Sequence, residues 1–158
     1  MVAYLAALVL APWLHPLAFR PLPGWQTGTS GTHSAYVRGV VESSAWIARN
    51  VRYRDDATAD PPSKTPAHLP RSGVIVWAGI SNSAENGANP IQLDLSKAKH
   101  FDCCDGAYFA SGEYELTGSG PAGSYGVIVR IYFGSRPTST LRAEAQRALN
   151  HLELPSSR

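Results

Sequence analysis

Residues 125–133, with the sequence YGVIVRIYF, constrain the fold of this 158-residue chain more than any other segment. The odd-numbered positions are all apolar, whereas the even-numbered ones mix glycine, isoleucine, arginine and tyrosine. This period of two, rich in β-branched and aromatic residues, predicts a β-strand with one face fully buried and the other partly covered. Gly134 ends the pattern. We expect upstream segments to supply strands that pair with this one.

Upstream strands are predicted from the same kind of pattern. Residues 73–80 are a continuous apolar run (GVIVWAGI), which is typical of a central strand covered on both faces. Ile91, Leu93 and Leu95 alternate with polar residues and predict a strand with one buried face. The other predicted strands are residues 36–41, 45–54 and 107–117. Arg49 interrupts the buried face of the second of these and indicates a bulge or a sheet edge.

Residues 118–123 (GSGPAG) satisfy the GxGxxG pattern of dinucleotide-binding loops. That motif needs a helix directly after it, because the helix N-terminus holds the pyrophosphate. Here a strand follows, and Pro121 has no backbone N–H to donate to a phosphate. The segment is therefore interpreted as the loop of a hairpin between residues 107–117 and 125–133.

Residues 137–151 predict an amphipathic helix. Pro137 suits the first turn, and Ser135 or Thr138 can act as N-cap. The predicted apolar stripe consists of Leu141, Ala145, Ala148, Leu149 and Leu152. One such helix after several strands must lay its stripe on the sheet. The predicted fold is therefore α+β: a mostly antiparallel sheet of about five or six strands with one C-terminal amphipathic helix packed on it.

Composition limits the kinds of partner. Charged residues make up 16% of the chain, the net charge is +2, and the basic residues are scattered. A nucleic-acid interface needs a basic stripe that neutralises phosphates, so we expect no nucleic-acid partner. We also expect no cofactor.

Residues 1–20 are interpreted as a signal or membrane-anchor segment. Residues 2–14 (VAYLAALVLAPWL) are almost wholly apolar, and no charged side chain precedes Arg20. Against this, no Lys or Arg precedes the apolar run, and Pro12 and Pro16 interrupt it. The alternative is a buried N-terminal helix of a soluble domain. We favour the first interpretation, which predicts a membrane-associated or extracytoplasmic protein.

Residues 21–34 are interpreted as a linker, because prolines, glycines and hydroxyl side chains dominate them. The other interpretation of this composition is a domain edge on which Trp25 docks. Residues 35–158 would then form a single α+β domain.

The segment from His100 to Asp105 (HFDCCD) brings two thiols, an imidazole and two carboxylates together. His100 with Cys103 or Cys104 could bind zinc or copper(I), although no second motif supplies further ligands. The adjacent cysteines could also form a disulfide in an oxidising compartment, at the cost of ring strain. We favour a structural pair in which one thiol is buried as a small hydrophobe.

The C-terminal segment 128–155 (IVRIYFGSRPTSTLRAEAQRALNHLELP) resembles the end of small exported bacterial domains of unassigned activity. The shared features are a strand that closes on YFG, a helix that begins at proline, and a terminal Leu-Pro. The resemblance extends to LPRSGVIVWA and VRYRD and covers about half of the chain. It implies export and a compact domain, and it assigns no catalytic residue.

The sequence therefore predicts an exported or membrane-tethered domain with a non-enzymatic role in binding or structure. The loops at residues 55–71 and 81–90, near Trp77 and Tyr108, could form a surface for a protein or small ligand. One alternative is a thiol-based redox or metal-binding protein that acts through Cys103 and Cys104. Another is a hydrolase whose Ser–His–Asp site assembles only in space. Glu113 and Glu115 share one strand face, which the pattern predicts to be solvated.

Overall fold

A computed structural model describes residues 17–30, 41–53, 69–81, 89–101, 113–121 and 125–155. Within these residues the chain forms one six-stranded antiparallel sheet, a two-stranded sheet and one α-helix. The strands are β1 (Ala18–Phe19), β2 (Gln26–Ser30), β3 (Val41–Arg49), β4 (Val74–Ser81), β5 (Lys99–Phe101), β6 (Glu113–Ser119), β7 (Gly126–Phe133) and β8 (Leu152–Glu153), and the helix is α1 (Ser139–Leu149). The predicted α+β class is confirmed.

Strands β4 and β7 lie at the centre of the large sheet, whose order is β2-β3-β4-β7-β6-β5. They pair in one unbroken register from Val74 opposite Phe133 to Ser81 opposite Gly126. Because β4 also pairs with β3, the prediction of a central strand at residues 73–80 is confirmed. Strands β6 and β7 form the predicted antiparallel hairpin, although Gly118 and Ser119 of the predicted loop belong to β6.

Helix α1 covers one face of the sheet. The Thr138 side chain caps it by accepting a hydrogen bond from the Leu141 N–H at 3.2 Å. The helix residues of the predicted stripe, Leu141, Ala145, Ala148 and Leu149, are all buried in the main core, as is Leu152 in β8. This docking is confirmed.

The segment predicted to be a linker contains part of the fold. Residues Gln26–Ser30 form the edge strand β2, which pairs with β3. Leu22 is buried, and Trp25 packs partly buried against the main core. The linker interpretation is therefore wrong for this stretch, and the docked domain edge is the arrangement found. Hydroxyl-rich sequence suits an edge strand whose outer side faces water.

The fold also includes residues just before β2. Leu17 is 1% exposed and Phe19 is buried, and β1 pairs with β8 after the helix. The part of the segment 1–20 before Leu17 lies outside the described residues. Among the described residues, no helix is long and apolar enough to cross a membrane.

Strand β3 ends earlier than residues 45–54 predicted. It stops at Arg49, and Asn50 takes a left-handed backbone conformation with φ of 57°. Arg49 stays on the helix side, where its guanidinium lies 2.9 Å from Glu144 of α1. The register irregularity lies between Val41 and Ser43, not at Arg49.

Residues 91–95 do not form the predicted strand. Instead, Asp94 accepts a hydrogen bond from the Ser96 N–H at 2.8 Å and caps a 3₁₀ helix at Leu95–Lys97. Ile91, Leu93 and Leu95 still pack against the main core. Their alternation is therefore satisfied by burial, and of these three described residues only Ile91 donates a backbone hydrogen bond to a strand, at the Ser119 carbonyl.

The face of the sheet away from α1 has its own small core, formed by Trp46, Ala48, Tyr53, Leu69, Ile75 and Tyr132. Directly opposite residues in an antiparallel ladder share a face. Glu113 lies opposite the fully buried Tyr132 and is itself only 3% exposed. The prediction that the face of Glu113 and Glu115 is solvated is therefore wrong at this end of the sheet.

Candidate functional site

The structure describes one of the three predicted thiol-site residues. His100 lies in β5, is exposed, and stands edge-on to the Tyr114 ring with centroids 5.3 Å apart. Cys103 and Cys104 lie outside the described residues, so the thiol and metal interpretations stay predictions. Among the residues that the structure does describe, no three histidine, cysteine or acidic side chains group as metal ligands.

The predicted surface around Trp77 is described only in part. Tyr108 and most of the loops at residues 55–71 and 81–90 lie outside the described ranges. Trp77 is half-buried on the helix-free face, where its indole covers Gly79 and the Arg130 guanidinium lies 5.9 Å from its ring centroid. A Cβ at position 79 would meet the indole at 2.5 Å, so the ring needs a glycine there.

A charged network occupies the same face beside Trp77. Arg130 Nε in β7 lies 3.1 Å from Glu113 Oε1 and 3.1 Å from Glu115 Oε2, both in β6. Glu115 is directly opposite Arg130 in the β6–β7 ladder. One guanidinium therefore holds two carboxylates, with Glu113 buried and Glu115 partly exposed.

Burial sets the protonation behaviour of this network. Desolvation raises the pKa of Glu113 to about 7, the nearby Tyr132 hydroxyl acts against this rise, and the neighbouring Glu115 charge adds to it. Desolvation also raises the pKa of Glu115. Because the Glu113 carboxyl is buried, it does not reach a bound substrate directly. Among the described contacts, Arg130 links it to the partly exposed Glu115.

The outer edge of β6 is paired at two places. At one end β5 pairs with Glu113–Glu115, where Lys99 lies opposite Glu115. At the other end, the Ser119 N–H donates to the Asn89 carbonyl and the Ile91 N–H donates to the Ser119 carbonyl, both at 2.9 Å. Between these two attachments, residues 92–98 curve away from β6 and include the 3₁₀ helix. We call them the bowed segment.

The bowed segment leaves the outward-facing backbone groups of Thr117 uncovered. Backbone groups alternate sides along a strand, and the β6–β7 register is regular from Glu113 to Ser119. Thr117 therefore directs its N–H and C=O outwards, as Ser119 does. Within the described part of the chain, no backbone hydrogen bond joins these groups to the bowed segment.

A cleft of about 290 Å³ fills this opening. Its lining combines two ammonium groups, one carboxylate, two amides and the exposed main chain of β6; the residues are Asn89, Pro90, Gln92, Lys97, Lys99, Glu115, Leu116, Thr117 and Gly118. Glu115 belongs to both the cleft and the Arg130 network. The cleft is thus a polar concave surface, connected to the buried carboxylate by a single guanidinium.

Helix α1 holds the bowed segment away from β6. The Gln146 side chain accepts a hydrogen bond from the Leu95 N–H at 2.8 Å and donates one to the Leu93 carbonyl at 2.9 Å. On the other side, Ile91 crosses directly over Gly118, where a Cβ would lie 2.6 Å from the Ile91 Cα. The bowed segment is therefore held by α1 on one side and by the close approach of Ile91 to Gly118 on the other.

Sequence reasoning missed this cleft, because a strand at residues 91–95 would have paired with β6 and closed it. One feature of the sequence could have indicated it. Asp94 and Ser96 are separated by two positions, a spacing at which an aspartate caps a turn. That turn competes with the strand.

Comparison with protein-family models, curated proteins and solved structures found no match for this chain.

Proposed function

We propose that the chain is a non-catalytic binding domain that takes a small polar ligand in the cleft at the β6 edge. The observation that supports this most is the open main chain of Thr117 between two paired ends of the same strand. Exposed backbone donors and acceptors in a concave site with a few charged side chains are typical of small-ligand sites. The apolar N-terminal sequence supports a location at or beyond a membrane.

Binding suits the network better than acid–base catalysis by its two carboxylates does. A pair of carboxylates used as acid and base must both reach the reacting atoms. Glu115 lines the cleft, but the side chain of Glu113 is only 4% exposed and is not part of the cleft lining. Glu113 is therefore proposed to position Arg130 and Glu115.

Backbone amide NMR of the folded domain with four separate probes tests the proposal: inorganic phosphate, acetate, glucose and L-alanine. We expect at least one probe to shift the amides of Gln92, Lys99 and Thr117 saturably at millimolar concentration. The double substitution Lys97→Gln and Lys99→Gln should weaken that binding. Arg136→Gln removes an exposed cation outside the cleft and should leave it unchanged. Failure of all four probes, or shifts only at other surfaces, would contradict the proposal.

A further inference from the structure

We propose that the ligand of the cleft is a zwitterionic α-amino acid, with its carboxylate beside Lys97 and Lys99 and its ammonium beside Glu115. This inference rests on the proposed function and names the ligand class. It is carried by the separation of charge across the cleft, which is positive on the bowed segment and β5 and negative on β6.

The positive side consists of two exposed lysines. Lys97 ends the 3₁₀ helix and Lys99 begins β5. In the described ranges, no ion pair joins either ammonium group to a carboxylate, although Asp94 lies close enough to Lys97 to act on it electrostatically. Ammonium groups that line a cleft in this way suit a ligand carboxylate.

The negative side is Glu115 with its buried neighbour. Among the described contacts, Arg130 supplies one guanidinium to two carboxylates, so this wall keeps an excess of negative charge when both are ionised. A ligand ammonium beside Glu115 would supply the missing positive charge.

The two sides are close enough for one small molecule. Lys99 and Glu115 are direct cross-strand partners, and the Cβ atoms of such pairs lie about 4.5–5.5 Å apart. An α-amino acid carries both charges on one carbon, so it can face both groups at once. The Thr117 N–H and C=O lie beside them and match a carboxylate and an ammonium respectively. The volume of about 290 Å³ is at the lower limit of small-ligand sites.

Three related probes separate this inference from the proposed function: L-alanine, N-acetyl-L-alanine and L-alanine amide. Acetylation removes the ammonium charge, and the amide removes the carboxylate. We expect L-alanine to shift the amides of Lys99 and Thr117 saturably, and each analogue to bind at least about tenfold more weakly. Lys99→Gln should weaken L-alanine binding by a similar factor, and Arg136→Gln should not.

Two results would overturn the inference in distinguishable ways. If N-acetyl-L-alanine or acetate binds the cleft as well as L-alanine does, the zwitterion is wrong and a binding function at the cleft stands. If none of these probes, phosphate or glucose shifts the cleft amides, both proposals fall. The second result is expected if Lys99 pairs with Glu115 in solution and closes the cleft.

Discussion

Arg130 places a positive charge beside two carboxylates, Glu113 and Glu115, on one face of the sheet. A buried carboxylate is costly unless it is paired and hydrogen-bonded. Here the Arg130 guanidinium pairs with both Glu113 and Glu115, and the surrounding apolar side chains still keep the pKa of Glu113 near 7. The stability of the domain should therefore depend on pH near neutrality.

The direction of this dependence follows from the two pKa values of Glu113. Its pKa rises from 4.5 to about 7 in the folded protein, so between these values the native state binds more protons than the unfolded state does. Glu113 should favour folding most at pH values below its pKa in the unfolded chain. The domain should then lose stability as the pH rises towards 7. The loss is at most about 3–4 kcal/mol, since each pKa unit corresponds to about 1.4 kcal/mol.

Glu113→Gln should remove most of this dependence. The free energy of unfolding, measured with denaturant at several pH values between about 4.5 and 8, should become flatter in the variant than in the native chain. Near the upper limit the variant should be the more stable of the two. Glu153→Gln on the exposed β8 is the matched control and should keep the native profile. Identical profiles for Glu113→Gln and the native chain would show that Glu113 ionises normally.

At the scale of elements, helix α1 has two roles. It buries an apolar stripe, and it holds the segment before β5 through Gln146. The two roles use different side chains, so they can be separated by substitution.

Leu149→Ala tests the first role. Leu149 is fully buried in the main core, and truncating such a leucine costs about 2–5 kcal/mol. Denaturant unfolding should show a loss in this range. Thr140→Ala on the exposed side of the same helix should change stability by no more than about 0.5 kcal/mol. A similarly small effect for Leu149→Ala would place that face of the helix in solvent.

Gln146→Ala tests the second role. The substitution leaves the Leu95 N–H and the Leu93 carbonyl without their side-chain partner, which costs about 1–3 kcal/mol when such groups are buried. The Leu95 amide should also exchange its hydrogen faster. Asn150→Ala removes only the third hydrogen bond of Gln146 and should leave the Leu95 amide protected. Unchanged exchange at Leu95 in Gln146→Ala would mean that the helix does not hold the bowed segment.

Periodicity predicted those elements that the core alone determines. The apolar run of β4 buries both faces of its strand, and the alternation of β7 and the stripe of α1 each bury one main face, so each pattern has one structural solution. Residues 91–95 show the limit of this reasoning. Their alternation buries the same side chains in a 3₁₀ turn as in a strand, and only the Asp94 cap and the distant Gln146 decide between them. The cleft forms only when this segment adopts the turn.

The burial of Glu113 was beyond sequence reasoning for a related reason. Its face is covered by Tyr132 from the next strand and by the second core, which includes Tyr53 and Leu69 from other parts of the chain. Those contacts arise from sheet order, which a pattern within one strand does not contain.

At the scale of the whole molecule, the structure sharpens the test of the N-terminal segment. Removing residues 1–20 would delete Leu17 and the strand β1, both of which belong to the fold. Removing residues 1–16 keeps them.

We therefore expect the full-length chain in the membrane or exported fraction of producing cells, and the chain lacking residues 1–16 in the cytosol. The shortened chain should still fold, because Leu17 and β1 are retained. Fractionation followed by detection of the protein measures this distribution. A full-length chain found wholly in the cytosol would contradict the proposed location.

The proposed site requires that the edge of β6 be open at Thr117, and amide hydrogen exchange measures whether it is. In the folded protein without ligand, the Thr117 amide should exchange at least about a hundredfold faster than those of Gly118, which faces β7, and Ser119, which donates to Asn89. Protection of Thr117 equal to that of Ser119 would mean that residues 91–97 pair with β6, that the cleft does not exist, and that the proposed binding site is wrong.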